Sequence, residues 1–262
     1  MIVRKSAREI EAMAGAGRVV AEVLELMGES IRPGVTTAEL DRIAERHVRS
    51  RGGVPTFKGY RGFPASICSS PNSMVVHGIP GPYRLEEGDV LSVDVGVTRE
   101  GFVADSAYTF AVGDIDPEAQ RLLDVCLAAL EAAIAEARVG CRLGDVSAAV
   151  QRVTEEAGFS VVRSLVGHGV GRSMHEEPQI PNYGEPGRGP DLQPGMTLAI
   201  EPMITAGGHE VVIADDGWSI STADGSLAAH FEHTVAITDD GPRVLTASRR
   251  LAMGHPVGSL LP

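Results

Sequence analysis

The chain has 262 residues, 43% of them hydrophobic and 22% charged, which allows one large domain or two fused halves around a full core. Its net charge of −12 at pH 7 argues against DNA or other nucleic acid as a partner, since phosphate contacts need clustered Lys and Arg. No apolar run reaches the roughly 18 residues of a membrane span, and the charged start MIVRKSAREIEAM lacks a signal-peptide core, so a cytoplasmic protein with no membrane partner is expected.

Three cysteines, Cys68, Cys126 and Cys141, lie far apart without zinc-finger spacing, which points to reduced thiols. The basic cluster RHVRSR at 46–51 reads as a solvated helix face. An acidic surface suits a cationic substrate such as the α-amino group of a peptide, or simple solubility.

In chain order, the first predicted element is a helix over 6–28. Ser6 and Glu9 form a capping box, and Ile10, Met13, Val20, Leu24 and Met27 share one face. A second helix fits 37–51, opened by Thr36 and Glu39, with Leu40, Ile43, Ala44, His47 and Val48 as its inward stripe. The strand DVLSVDVGV sets Leu91, Val93 and Val95 against Val90, Ser92 and Asp94 on the opposite face. The segment Thr98–Gly101 (TREG) is expected to turn the chain into a second strand carrying Asp105. Asp116-Pro117 starts a helix to about 137 with Leu123, Cys126, Leu127, Leu130 and Ile134 inward, and another follows at about 145–157. The Gly-Pro-rich stretch 182–195 reads as surface loop. In the strand TLAIEPM, Leu198 and Ile200 oppose Thr197, Ala199 and Glu201. The tail from about 250 is expected to be loosely held.

One pattern occurs twice. LEEGDVLSVD (85–94) matches LQPGMTLAIE (192–201) at a constant offset of 107, pairing Asp94 with Glu201. The helical stretches 32–53 and 138–159 align at an offset of 106. Each strand block is followed by a second acid, Asp105 or Glu232, and preceded by a His-Gly pair, His77-Gly78 or His168-Gly169. The expectation is a single α+β domain of two related halves, near 1–112 and 113–250, about a pseudo-two-fold axis. Helices would cover the convex face of a curved antiparallel sheet, with the acids in the concavity.

Taken singly, these residues mean little. A lone Asp in a strand is usually a turn or edge residue, and His168 in GHGVG could be a core histidine. Glu201 is odder, because an ionised Glu in an apolar strand needs a compensating arginine or cation. Together, four carboxylates and one imidazole would suit two divalent ions of the Mn, Fe, Co or Zn kind.

At these residues the chain resembles a known family. VVHGIP (75–80), SVDVG (92–96), the Asp94–Asp105 spacing, GHGVGRSMHEEP (167–178), IEPM (200–203) and FEHT (231–234) look like the methionine aminopeptidases, type I and bacterial in form. The resemblance runs from about residue 5 to 248 and implies the pita-bread fold, two related halves around a dinuclear metal centre. It implies removal of the initiator methionine from nascent polypeptide N-termini when the second residue is small. Asp105 and Glu232 would bridge the metals, Asp94 would hold one, and His168 and Glu201 the other. Glu201 would also serve as general base. His175 would bond the scissile carbonyl or oxyanion, and His77 would steer the peptide amide or leaving nitrogen.

The methionine cup would fall on Phe57, Tyr60, Phe63, Cys68, Met174 and Trp218. Phe57, often a cysteine, and Met174, often a phenylalanine, depart from the commoner bacterial pattern, which affects pocket shape and inhibitor preference. The resemblance further implies a monovalent cation near Asn72, Met74 and Ala228, a monomer, and room for transient ribosome contact. The alternatives are a proline-specific aminopeptidase or prolidase of the same fold, usually with an extra N-terminal domain, and a non-catalytic binding homologue, which would lack part of the ligand set. The short segment between Glu201 and Glu232 and the lack of a zinc-binding N-terminal extension speak against the type II form and for a bacterial source.

Overall fold

The computed structural model describes residues 1–248, 250 and 251; most of the tail expected from about 250 lies outside the described residues. Along the chain run α1 (Ala7–Ser30), α2 (Thr37–Ser50), β1 (Val54–Pro55), β2 (Cys68–Pro71), β3 (Met74–Val76), β4 (Val90–Arg99) and β5 (Phe102–Ala111). There follow α3 (Pro117–Glu136), α4 (Leu143–Glu156), β6 (Ser160–Val161), β7 (Val166–Gly169), β8 (Glu176–Pro181) and β9 (Thr197–Ile200). The chain continues through β10 (Met203–Thr205), β11 (Val211–Ile213), β12 (Ile220–Thr222), β13 (Ala228–His230), β14 (His233–Thr238) and β15 (Gly241–Val244).

The helix starts follow local chemistry. Glu9 Oε2 accepts from the Ser6 N–H at 3.0 Å and Glu39 Oε2 from the Thr36 N–H at 2.8 Å, so both capping boxes form. Pro117 occupies the first turn of α3, where its missing N–H costs nothing, and Asp116 caps Glu118. The stripe expected on α2 is only partly inward. Leu40, Ala44 and Val48 are buried, but Ile43 is half-buried and His47 turns to Glu22, 3.0 Å away. An imidazole has a polar partner to reach, and α1 supplies one.

All strand pairs are antiparallel, and among the described residues they divide into four sheets. β4 lies between β1, β2 and β5; β15-β14-β9-β7-β8 forms the widest sheet. β4 and β5 make a hairpin with Arg99 opposite Phe102, so the turn is the pair Glu100–Gly101 rather than all of Thr98–Gly101. Both turn residues have positive φ, 53° and 78°, as a two-residue hairpin of this twist demands.

Two apolar clusters brace the sheets. One packs Val20, Leu24, Met27 and Leu40 of α1 and α2 on Leu91, Val93, Val95 and Ala104. The other packs Leu122, Cys126, Leu130 and Val146 of α3 and α4 on Leu198, Ile200, Ile204 and Val235. Tyr108 touches both and meets Phe110 and Phe231 at ring distances of 4.7 and 4.8 Å. Because side chains alternate along a strand, burying Val93, Val95 and Ala104 against helices turns Asp94 and Asp105 the other way.

Candidate metal centre

The two acids of the hairpin are set by register. Gly96 faces Asp105 and Asp94 faces Ala107, so the carboxylates are diagonal neighbours on one face. Gly96 also keeps space for an aromatic wall: a Cβ there would lie 2.7 Å from the Phe57 ring.

Hydrogen bonds stitch β5 to residues 230–234. The Glu232 N–H donates to the Ala107 carbonyl at 2.9 Å, and Ser106 Oγ donates to the Glu232 carbonyl. Thr234 Oγ1 accepts from the Asp105 N–H at 2.9 Å and donates to the Asp105 carbonyl at 2.8 Å. Asp105 and Glu232 are thus brought face to face, each 2% exposed. On the far side, β7 pairs with β9, with His168 opposite Ala199. A Cβ on Gly169 would lie 2.2 Å from the Glu177 carbonyl oxygen, so the close approach of β8 to the histidine needs glycine.

One nitrogen defines the chemistry. His168 Nδ1 is 2.9 Å from the Gly169 carbonyl, which can only accept, so Nδ1 carries the proton. Nε2 therefore presents a lone pair, 3.5 Å from Glu201 Oε1 and 3.8 Å from Asp105 Oδ2. Burial, with His175 beside it, lowers the His168 pKa to about 4, so the ring is neutral near pH 7. One donor atom each from Asp105, His168 and Glu232 lies within 4.8 Å of the others. Asp94 Oδ1, Asp105 Oδ1 and Glu232 Oε1 are buried without a hydrogen-bond partner.

Burial drives the Asp94 carboxyl up to about 7. Burial and the neighbouring acids drive Asp105, Glu201 and Glu232 well above the ordinary carboxylate range. No Lys or Arg among the described residues forms an ion pair with these four acids. Oxygen lone pairs converging in a buried site must share protons or surround cations. Hard oxygens and one imidazole suit divalent ions of the Mn, Fe, Co or Zn kind.

The acids line a cavity of about 320 Å³ together with the other expected catalytic and cup residues, thirteen in all; Asn72, Met74 and Ala228, expected near a monovalent cation, are not in its lining. Phe63 meets Phe57 edge-on at 6.5 Å and Trp218 at 5.2 Å; Met174 is buried beside them. Burial and the charge of Asp94 raise the Cys68 thiol, which stays protonated and acts as wall rather than nucleophile. Tyr60 Oη lies 2.9 Å from His175 Nδ1, and its ring stacks on the imidazole at 5.5 Å. If the phenol donates, His175 keeps Nε2–H for a ligand. His175 and His168 rings are 4.2 Å apart. Burial lowers the pKa of both His77 and His175, with His175 acting on the first and Arg61 on the second. His77 is held with φ at 61°, a costly conformation for a residue with a Cβ.

The lining also contains Arg61, Val76, Leu165 and Met203, which the sequence reading did not single out. Apolar wall residues carry no chemical signature in a sequence. Met203 ends IEPM, the one place where a motif could have flagged it. His230, whose Nε2 is 3.8 Å from Glu201 Oε2, was also passed over.

This geometry defines the class: a buried carboxylate–imidazole metal site under an apolar cup, on paired antiparallel sheets backed by helices. Residues 11–239 match the model of metallopeptidase family M24, and the chain belongs to that family. It is 51% identical over 246 residues to a methionine aminopeptidase of Clostridium perfringens, covering 94% of this chain and 99% of that one. It is 49% identical over 246 residues to methionine aminopeptidase 1 of Bacillus subtilis, with the same coverage. The crystal structure of methionine aminopeptidase from Thermotoga maritima superposes with a TM-score of 0.93 at 46% identity, covering 95% of this chain and all of that one. The pita-bread architecture expected from the sequence is therefore the observed fold. A prolidase from Pyrococcus furiosus shares the fold at a TM-score of 0.76, but at 22% identity and with only 66% of its length covered.

Proposed function

We propose that this protein is a dinuclear metal-dependent aminopeptidase that removes the N-terminal methionine from nascent polypeptides whose second residue is small. The observation that carries this reading is the bare Nε2 of neutral His168 facing carboxylates that no cationic side chain neutralises.

Asp105 and Glu232 would hold both ions, Asp94 one of them, and His168 with Glu201 the other. Bound divalent ions supply Lewis-acid polarisation of a carbonyl and acidify water near neutral pH. The chain's own groups do the rest. The cup of Phe57, Tyr60, Phe63, Cys68, Met174 and Trp218 takes the thioether, with Met174 adapting its flexible, polarizable side chain. Closing that cup on methionine excludes water and aligns the scissile carbonyl over the acids. Glu201 takes a proton from water at a carboxylate oxygen and returns it to the leaving amine. His175 Nε2–H steadies the developing oxyanion, while His77 orients the leaving nitrogen.

The same reading includes one catalytic domain of two related halves, near 1–112 and 113–250. It includes a monomer in the cytoplasm, transient contact with the ribosome, and a monovalent cation on carbonyls near Asn72, Met74 and Ala228. The Asn72 carbonyl already accepts from the Ala228 N–H at 3.0 Å, which brings two of those carbonyl-bearing segments together.

The test is mass spectrometry of Met-Ala-Ser and Met-Leu-Ser peptides with metal-loaded and chelated protein. The expected result is metal-dependent release of methionine from Met-Ala-Ser and little from Met-Leu-Ser. Activity that survives exhaustive chelation, or no cleavage with any of Mn, Fe, Co and Zn, refutes the reading.

A further inference from the structure

His230 has a place in this site that metal ligation and the methionine cup leave unexplained. Its side chain is buried, and neither ring nitrogen has a hydrogen-bond partner. The backbone beneath it is pinned: its N–H donates to Thr109 Oγ1 at 2.9 Å, and its carbonyl accepts from the same hydroxyl at 2.8 Å. With the Thr109 proton so used, Ser92 Oγ, 2.8 Å away, must donate to Thr109. β13 pairs with β10 through Met203 opposite His230, which holds the residue beside the end of the Glu201 segment.

The ring therefore stands next to one oxygen of one acid. Nε2 is 3.8 Å from Glu201 Oε2, while Glu201 Oε1 faces His168 at 3.5 Å. Glu201 lies between two imidazoles, one oxygen toward each. An imidazole ring carries at least one N–H donor. Leaving that donor unsatisfied in a buried site costs about 1–3 kcal/mol. The present gap exceeds hydrogen-bond length, so the bond requires the Glu201 carboxyl and the ring to draw closer.

We propose that His230 is a positioning residue for Glu201: its Nε2–H bonds Oε2 and thereby orients Oε1 toward the side of the site where His168 and Asp105 converge. The inference rests on the reading of Glu201 as ligand and base. Groups that orient a metal-binding carboxylate are worth about 10- to 100-fold in affinity or turnover.

The experiment compares His230→Gln, His230→Asn and His230→Leu. A Gln amide nitrogen replaces imidazole Nε2, whereas an Asn amide reaches only the Nδ1 position. The measurements are Mn affinity by calorimetry, and kcat and KM on Met-Ala-Ser. His230→Gln is expected to stay within about threefold of wild type in all three, whereas His230→Asn and His230→Leu lose about 10- to 100-fold in Mn affinity and kcat with KM little changed. Wild-type values in His230→Leu, or equal losses in all three variants, overturn the proposal. Should the variants fail to fold, nitrogen-15 NMR of the wild-type ring decides: the Nε2–H tautomer supports the proposal and the Nδ1–H tautomer overturns it. If wild type fails to cleave Met-Ala-Ser while the Mn affinities and tautomer follow the expected pattern, the aminopeptidase reading fails and the positioning role stands.

Discussion

Four buried carboxyls without a cationic partner should make the stability of the protein depend on pH in a way that bound metal abolishes. An acid whose folded pKa is raised binds its proton more tightly in the fold than in the unfolded chain. Between the ordinary value and the raised one, the fold holds more protons, so stability falls as pH rises. For Asp94, moved from 3.8 to about 7, the full penalty is on the order of 4 kcal/mol. Asp105, Glu201 and Glu232 are raised in the same direction by burial and by the neighbouring acids. The buried histidines have the opposite sign. His168, His230 and His233, lowered to about 4, 3 and 4, cost stability only as pH falls below their ordinary value of 6.5. The window from about pH 7.5 to 8.5, a unit above the ordinary histidine value, therefore reports the acids. Each carboxyl that keeps its proton there contributes a slope of about 1.4 kcal/mol per pH unit, or about 3 °C in Tm for a chain this size. The assay is calorimetry of chelated and Mn-loaded protein across that window. The expected result is a Tm falling by about 3 °C or more per pH unit without metal and nearly flat with Mn. A flat or rising Tm in the chelated protein, or an equal fall in both, would refute the reasoning.

Replacing one charge at the centre should abolish most turnover. Asp105→Asn or Glu201→Gln is expected to lose several hundred-fold or about 3–4 kcal/mol in kcat, and a variant within tenfold of wild type contradicts the roles assigned. Lys5 Nζ meets Glu176 Oε2 at 2.7 Å with side-chain exposures of 4% and 14%, and Glu176 Oε1 also accepts the N–H groups of Arg172 and Ser173 beside His175. Lys5→Met strands that carboxylate and should cost about 3 kcal/mol or more, lowering Tm by about 6 °C or more; an unchanged melting curve counts against it. Gly96→Ala would drive a methyl into the Phe57 ring, 2.7 Å away, and so into the methionine cup. Overpacking of about 1 kcal/mol should reduce kcat/KM on Met-Ala-Ser about fivefold, and a change below twofold would show that Phe57 yields freely.

Local chemistry was legible from the sequence because its causes lie within a few residues. Ser6 with Glu9 and Thr36 with Glu39 close capping boxes over three positions, Pro117 starts α3, and a turn within Thr98–Gly101, tighter than expected, folds Asp94 beside Asp105. The five ligand candidates could be named because the motifs around them are ordered and matched across the repeat. Only the tertiary structure decided what those side chains face. Asp105 is joined to Thr234, 129 positions away, and the His168 lone pair is defined by a carbonyl whose direction depends on β8 pressing against Gly169. His47 left its expected inward stripe for Glu22 on another helix. His230 comes within 3.8 Å of Glu201 while Thr109 pins its backbone from a distant strand. Such relations arise from packing and long-range register, where each contact depends on many others, and no short window of residues encodes them.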